Sequence, residues 1–241
     1  MNKTVLILII NILFILNCIK SNNTFIINKN AEEYDLSQYL QIYIDNSLKL
    51  NYEDILTTSE HIKFINTKTE NLSYGFKNAA FWLKFSILNK TDQPQNLIFG
   101  IFNSDINFID FYENSNDSTI KKFFTGESRK FKDRDINHRY YLFNLKLEPG
   151  QSSTYYIRAY NNGDSMYLPL KFYQFNSYFQ KDYINLIIIG FIFGLFLFII
   201  IYNFFLFITI NDKIYLFYSL YALFLSLFVF NIEGLSYQLF L

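Results

Sequence analysis

The residues of this 241-residue chain whose types could do chemistry are aromatic and basic rather than catalytic. Trp82 is the only tryptophan. An indole standing out from a sheet can stack on the apolar C–H face of a sugar ring; its competing use is packing under a loop or in the core. His138, Arg139 and Arg158 are candidate contacts for an anion or a carboxylate, since a guanidinium offers a planar fork of donors. Their competing use is surface ion pairing with Asp133, Asp135 or Glu148. Asp133 and Asp135 flank Arg134, a spacing that can hold calcium in a loop. The segment lacks the further oxygen ligands and glycine of an EF-hand, so a solvated charged loop is expected there. Glu32 and Glu33 read as a solvated pair rather than an acid–base pair.

Motifs of catalysis are missing. The chain contains no GxSxG, HExxH, GxxxxGK[ST] or GxGxxG. A non-enzymatic protein without cofactor or metal is therefore expected. Cys18 is the single cysteine, which excludes an internal disulfide framework and a CxxC zinc site. The two histidines, His61 and His138, are far apart and offer little for a metal site. Lys+Arg (21) balance Asp+Glu (21), and with no basic excess nucleic acid is not an expected partner.

Three segments must position these residues. Residues 1–21 carry Lys3 and then an apolar stretch from Val5 to Leu16 broken only by Asn11. That is the length of a signal-peptide core and short for a membrane span. Ile15-Leu16-Asn17-Cys18 follows. A cleaved signal peptide, a lipid-modified Cys18 and an uncleaved anchor are all compatible with it.

Residues 24–180 are polar enough for water and alternate in several short runs. Phe81, Leu83, Phe85 and Ile87 share one strand face, which puts Trp82 on the other, outward face. Further strands are expected at 107–112, 140–145, 153–160 and 168–172. Turn signals separate them, such as Asn89-Lys90-Thr91-Asp92 and Glu148-Pro149-Gly150. Short aromatic strands at this spacing argue for an antiparallel β-sandwich. Asn51 is placed to cap a short helix over residues 52–56, with Glu53 and Asp54 where the helix dipole favours acids.

Residues 183–241 change solvent. Ile184 to Ile210 is a run of 27 residues without a charge, longer than the roughly 20 that span a hydrocarbon core. Asp212-Lys213 interrupts it, and a second apolar stretch runs from Tyr215 to about Glu233. Two helices, about 184–210 and 215–233, are expected to form a transmembrane hairpin in the lipid bilayer. With a signal peptide the sandwich lies outside the cytoplasmic membrane, and Lys3 and Lys213 fall inside, as positive residues do.

In order along the chain, a set of short motifs resembles one receptor family. Asn71-Leu72-Ser73-Tyr74-Gly75-Phe76, then Ala80-Phe81-Trp82-Leu83-Lys84-Phe85, resembles the core motif of a bacterial extracellular sensor domain. It is the second extracytoplasmic type found before a seven-helix membrane domain in receptors with diverse intracellular signalling modules (7TMR-DISM). Asp35-Leu36-Ser37 through Ile44-Asp45 is similar to its opening strand, and Ile109-Asp110-Phe111-Tyr112 to a later one. Gly126-Glu127, His138-Arg139-Tyr140, Leu147-Glu148-Pro149-Gly150 and Tyr156-Ile157-Arg158 match in order. Tyr202-Asn203-Phe205-Leu206-Phe207, Asp212-Lys213 and Tyr215-Leu216-Tyr218 resemble the first two helices of the membrane domain.

The resemblance implies a mainly β, jelly-roll-like sandwich similar to carbohydrate-binding modules. It implies sensing of a small ligand, such as a carbohydrate, and transmission to a kinase, diguanylate cyclase or phosphatase. The sequence stops after two of seven helices with no output module, which implies a fragment of a longer receptor or a truncated gene product. Two other readings stand beside the sensor: a protein-interaction module that meets a signalling partner protein, and a remnant with no output of its own.

Overall fold

A computed structural model describes residues 23–57, 62–115 and 120–240. The signal peptide or anchor of residues 1–21, with Cys18, and His61 lie outside them. Two sheets pack face to face. The larger is built from β1 (Thr24–Ile27), β3 (Gln41–Asp45), β4 (Ile65–Asn66), β6 (Ala80–Asn89), β8 (Phe108–Ser115), β9 (Ile120–Thr125) and β11 (Ser152–Tyr160). Its order is β4-β3-β6-β11-β8-β9. The smaller holds β2 (Glu33–Tyr34), β5 (Asn71–Phe76), β7 (Gln95–Ile101), β10 (Tyr141–Leu147) and β12 (Ser165–Gln174), in the order β10-β7-β12-β2 with β5 also on β12. The pairings are antiparallel with one exception. β1 runs parallel to β6 over Ser86–Asn89, sharing with β3 one edge of that strand.

Period-two burial explains the layers. Phe81, Leu83, Phe85 and Ile87 of β6 all point into the space between the sheets. Leu97, Phe99 and Ile101 meet them from β7. Rings bridge the sheets: Phe85 lies 4.8 Å from Phe99, and Phe111 stacks on Phe143 at 4.2 Å and 11°. Each such buried ring contributes about 1.5–3 kcal/mol by leaving water. The strand expected at 107–112 runs from Phe108 to Ser115, three residues beyond its expected end, and 165–174 outgrows 168–172 at both ends. Of the expected opening strand only Gln41–Asp45 is extended; Leu36 and Leu40 instead bury their side chains from a turn.

One turn is sterically fixed. Gly126 has φ +138°, and a Cβ there would lie 2.1 Å from the Asn107 carbonyl oxygen. Gly126→Ala is expected to cost roughly 1–3 kcal/mol, as overpacking against backbone does. Gly163→Ala, at φ +93° in open space, should cost only backbone strain of about 1 kcal/mol. Thermal unfolding of the two variants, followed by the fluorescence of Trp82, would check the ranking.

Helix α1 (Tyr52–Thr57) forms where Asn51 was expected to cap it. The cap is reciprocal: Asp54 N–H donates to Asn51 Oδ1 and Asn51 N–H to Asp54 Oδ2, both at 2.9 Å. The membrane hairpin comprises α2 (Phe175–Ile210) and α3 (Lys213–Ile232), followed by α4 (Leu235–Phe240). Asn211 turns left-handed at φ 56° to end α2, and the Asp212 carboxylate accepts from Ile214 N–H to start α3. Ser219, Ala222 and Ser226 lie buried in the helix pair, and Ser219 Oγ donates to the Ile200 carbonyl at 3.1 Å. Most large side chains from Tyr183 onward face outward, as a lipid solvent permits.

The expected first helix begins too late. α2 starts at Phe175, directly after β12 ends at Gln174, whose side chain accepts from Asn176 N–H. No connecting segment separates sandwich from helix. At about 1.5 Å per residue its 36 residues make ~54 Å of helix. A hydrocarbon core needs only ~30 Å. The first turns of α2 therefore stand above the membrane, against the sandwich.

Candidate functional site

The basic residues singled out in the sequence fall into two places. His138 and Arg139 lie at the junction between the sandwich and α2, just ahead of β10. Both are buried, at 4% and 2% exposure, and so do not form surface ion pairs. The carboxylate they contact is the chain's own Asp182, on α2. Arg139 Nη2 donates to Asp182 Oδ1 at 2.6 Å. His138 Nδ1 accepts from Tyr140 N–H at 3.0 Å, so the ring proton of the neutral imidazole sits on Nε2. That nitrogen lies 3.1 Å from Asp182 Oδ2 and 3.2 Å from the Tyr178 hydroxyl. One carboxylate of α2 is thus held by two consecutive residues of the sandwich.

A neighbouring arginine props this pair from behind. Arg134 was expected in a solvated loop, but it is 7% exposed. Its Nη1 donates to the carbonyls of His138 (2.5 Å) and Arg139 (3.1 Å). Its guanidinium lies 4.5 Å from both the Phe131 and Tyr141 ring centres. Burial lowers its pKa, and burial holds the Tyr141 phenol far above its ordinary range. Asp135 turns inward too, accepting from Asn144 N–H at 2.7 Å, and desolvation raises its pKa. Neither Asp133 nor Asp135 nor Glu148 pairs with His138, Arg139 or Arg158 among the described residues.

The far end of the hairpin returns to the same junction. The Tyr140 hydroxyl donates to Glu233 at 3.4 Å, and Ser104 Oγ to the Ile232 carbonyl at 3.4 Å. Tyr237 of α4 donates to Glu127. Gly234, at φ +71°, sits so close that a Cβ would lie 3.0 Å from Ser104 and 3.1 Å from the Arg139 carbonyl. Both helices therefore contact the loops that carry His138 and Arg139.

Trp82 and Arg158 share the outer face of the larger sheet. Trp82 does point away from the core, as its register requires. It is nevertheless fully buried, packed under a covering segment rather than open for stacking. α1 crosses this face and covers it: Tyr52 stacks on Tyr112 at 4.3 Å and 9°, with Trp82 next in the stack at 6.2 Å. Ile55, Ile62 and Tyr156 complete the layer. Desolvation pushes the Tyr112 and Tyr156 phenols up to about 12, so both stay protonated at neutral pH. Arg158 Nη2 donates to the Leu48 carbonyl at 3.1 Å, and Nη1 lies 3.7 Å from Asp110. Asp110 is gripped from the other side by Arg129 at 2.7 Å. Two buried donors here, Trp82 Nε1 and Arg158 Nε, have no hydrogen-bond partner among the described residues.

Asp182, Tyr178, Glu233 and Asp110 were not found from the sequence. Asp182 carried a signal: it is the last carboxylate before the charge-free run, and an ionisable residue at the mouth of a membrane helix needs a partner.

Comparison with known families agrees with this architecture. Residues 37–174 match the family described as 7TMR-DISM extracellular 2, and residues 185–241 match 7TM diverse intracellular signalling. No curated protein matches the chain. Among solved structures, a β-glucosidase from Kluyveromyces marxianus in complex with glucose aligns at 16% identity and TM-score 0.28, over 56% of this chain and 15% of its own. The GH31 α-xylosidase of Xanthomonas citri aligns at 12% and 0.26, over 56% and 15%. The GH115 4-O-methyl-α-glucuronidase BtGH115A, specific for decorated arabinogalactans, aligns at 12% and 0.24, over 61% and 16%. The chain thus spans less than a fifth of the length of these enzymes.

Proposed function

The chain belongs to the 7TMR-DISM receptors, as a membrane protein with an extracellular sensor domain, and from that premise we propose that its sandwich senses a small ligand and moves α2 directly. The observation that carries the reading is the grip of His138 and Arg139 on Asp182. A sensor joined to its helix by a flexible segment would dissipate a conformational change. Here β12 runs into α2 without a break, and a buried ion pair fixes the helix's first turns to a different strand loop. Ligand binding shifts such a system only through different affinity for two arrangements of the junction.

The ligand face we favour is the capped outer face around Trp82 and Arg158. Lifting α1 would expose an aromatic layer beside a guanidinium, and would free the two unpartnered donors for a hydroxylated or anionic ligand such as a carbohydrate. We place the sandwich on the outer side of the bacterial cytoplasmic membrane, and assign the chain no catalysis of its own. Thermal shift of the full chain in lipid nanodiscs, against panels of saccharides and small carboxylates, tests this. A stabilising ligand is expected, with its effect enhanced by Tyr52→Ala, which loosens the cap. No stabilisation across both panels would count against ligand sensing.

A second reading rests on exposed apolar residues. Phe76 is 84% exposed and Ile65 is 65% exposed, at edges of the sandwich. Such residues suit a protein partner. In-cell crosslinking from position 76 would capture that partner without added ligand if this reading holds.

A further inference from the structure

A cleft of about 630 Å³ opens where the smaller sheet meets the base of the hairpin. Its walls differ in chemistry. Arg139 and Lys171 of the sandwich and Lys181 from the first turns of α2 supply three cations, Tyr140 closes one end, and Ile184 and Ile188 of α2 form an apolar wall. Two carboxylates also line it, Asp182 and Glu233, the first already bound by Arg139. Glu33 holds Lys171 at 3.1 Å and Lys181 at 3.3 Å, and Glu70 lies 3.5 Å from Lys171. These contacts tether both ammonium groups at the rim.

The orphaned group in the cleft is a guanidinium. Arg139 is 2% exposed and spends Nη2 on Asp182, but its Nε and Nη1 have no hydrogen-bond partner among the described residues. Both forks of the guanidinium include the engaged Nη2, so Nε and Nη1 remain as two separate donors in a dry place, each able to meet one phosphate oxygen. The apolar wall continues into the outward-facing residues of α2, which selects a ligand with a hydrocarbon tail over a free anion.

We propose that this cleft binds the phosphate of an anionic glycerophospholipid from the adjoining leaflet. The head group meets Arg139, Lys171 and Lys181, and the acyl chains run down α2 past Ile184 and Ile188. The lipid would then sit against Asp182, in contact with both the sandwich and the hairpin. This assignment does not depend on which ligand the sandwich senses.

The test uses the full chain in an uncharged maltoside detergent. Native mass spectrometry and a thermal-shift titration would compare dihexanoyl-phosphatidylglycerol, dihexanoyl-phosphatidylcholine and sodium phosphate. The phosphatidylglycerol is expected to bind at least fivefold more tightly than the phosphatidylcholine and at least tenfold more tightly than phosphate. Arg139 variants would disturb the ion pair with Asp182, so the double variant Lys171→Gln/Lys181→Gln carries the test, with an expected fivefold loss. Lys121→Gln/Lys122→Gln, on β9 away from the cleft, should leave affinity unchanged. Equal binding of the two lipids, equally tight binding of phosphate alone, or equal loss in the two double variants would each overturn the proposal.

Discussion

Replacing Asp182 with alanine is expected to destabilise the junction by about 3–5 kcal/mol, the range for removing one partner of a buried ion pair. The loss comes mainly from what remains. Arg139, almost wholly buried, would be left with no carboxylate against it, and His138 Nε2 would keep only the Tyr178 hydroxyl. Asp182→Asn should recover part of the loss, since an amide oxygen still accepts one hydrogen bond but carries no charge. The double variant Arg139→Met/Asp182→Leu separates coupling from packing. Apolar replacement of both partners can be nearly neutral, so its unfolding temperature should lie well above that of Asp182→Ala. Trp82 is the chain's only tryptophan and reports the sandwich selectively in such experiments. If Asp182→Ala and wild type melt together, the junction is not held as described.

Trp82→Ala should be comparably severe, at about 3–5 kcal/mol, the usual cost of emptying a large buried aromatic site. For a domain of this size that corresponds to roughly 10 °C in Tm. An indole on an open surface would cost little, so the size of the effect distinguishes a layer sealed by α1 from an exposed platform. Trp82→Phe should lose much less, because Nε1 has no hydrogen-bond partner to forfeit and a phenyl ring can still stack on Tyr112. Far-UV circular dichroism replaces fluorescence as the readout for both. A loss below about 1 kcal/mol, within the range of surface substitutions, would mean that the cap does not seal this face.

What could be read without coordinates was local. The alternation at Phe81, Leu83, Phe85 and Ile87 placed β6 and its inward face correctly, because a strand's period is fixed by its backbone. Asn51 was legible as the cap of α1, while Asp54, read only as an acid favoured by the helix dipole, also closes the reciprocal cap. Ile184 to Ile210 announced a membrane helix by length. What was missed depended on partners far along the chain. The register put Trp82 on the outer face, but a helix some thirty residues upstream folds over it. The start of α2 was hidden because the charges of Lys181 and Asp182 end the apolar run that marks the membrane span. Only the sandwich, which buries Tyr178 and Asp182, shows that these turns are helical and dry on one side. His138 and Arg139 were singled out as carboxylate contacts, yet the carboxylate lies more than forty residues later in sequence.

The rigid joint between sandwich and first helix is the feature on which the sensor reading stands, and it can be measured as a distance. Spin labels at Lys146→Cys, exposed on β10, and at Ile201→Cys, outward-facing on α2, would be introduced with Cys18 replaced by serine. Double electron–electron resonance on the full chain in nanodiscs should give one narrow distance distribution, and Asp182→Ala should broaden or split it. A distribution as broad in the parent chain as in Asp182→Ala would contradict a junction held by His138, Arg139 and Asp182.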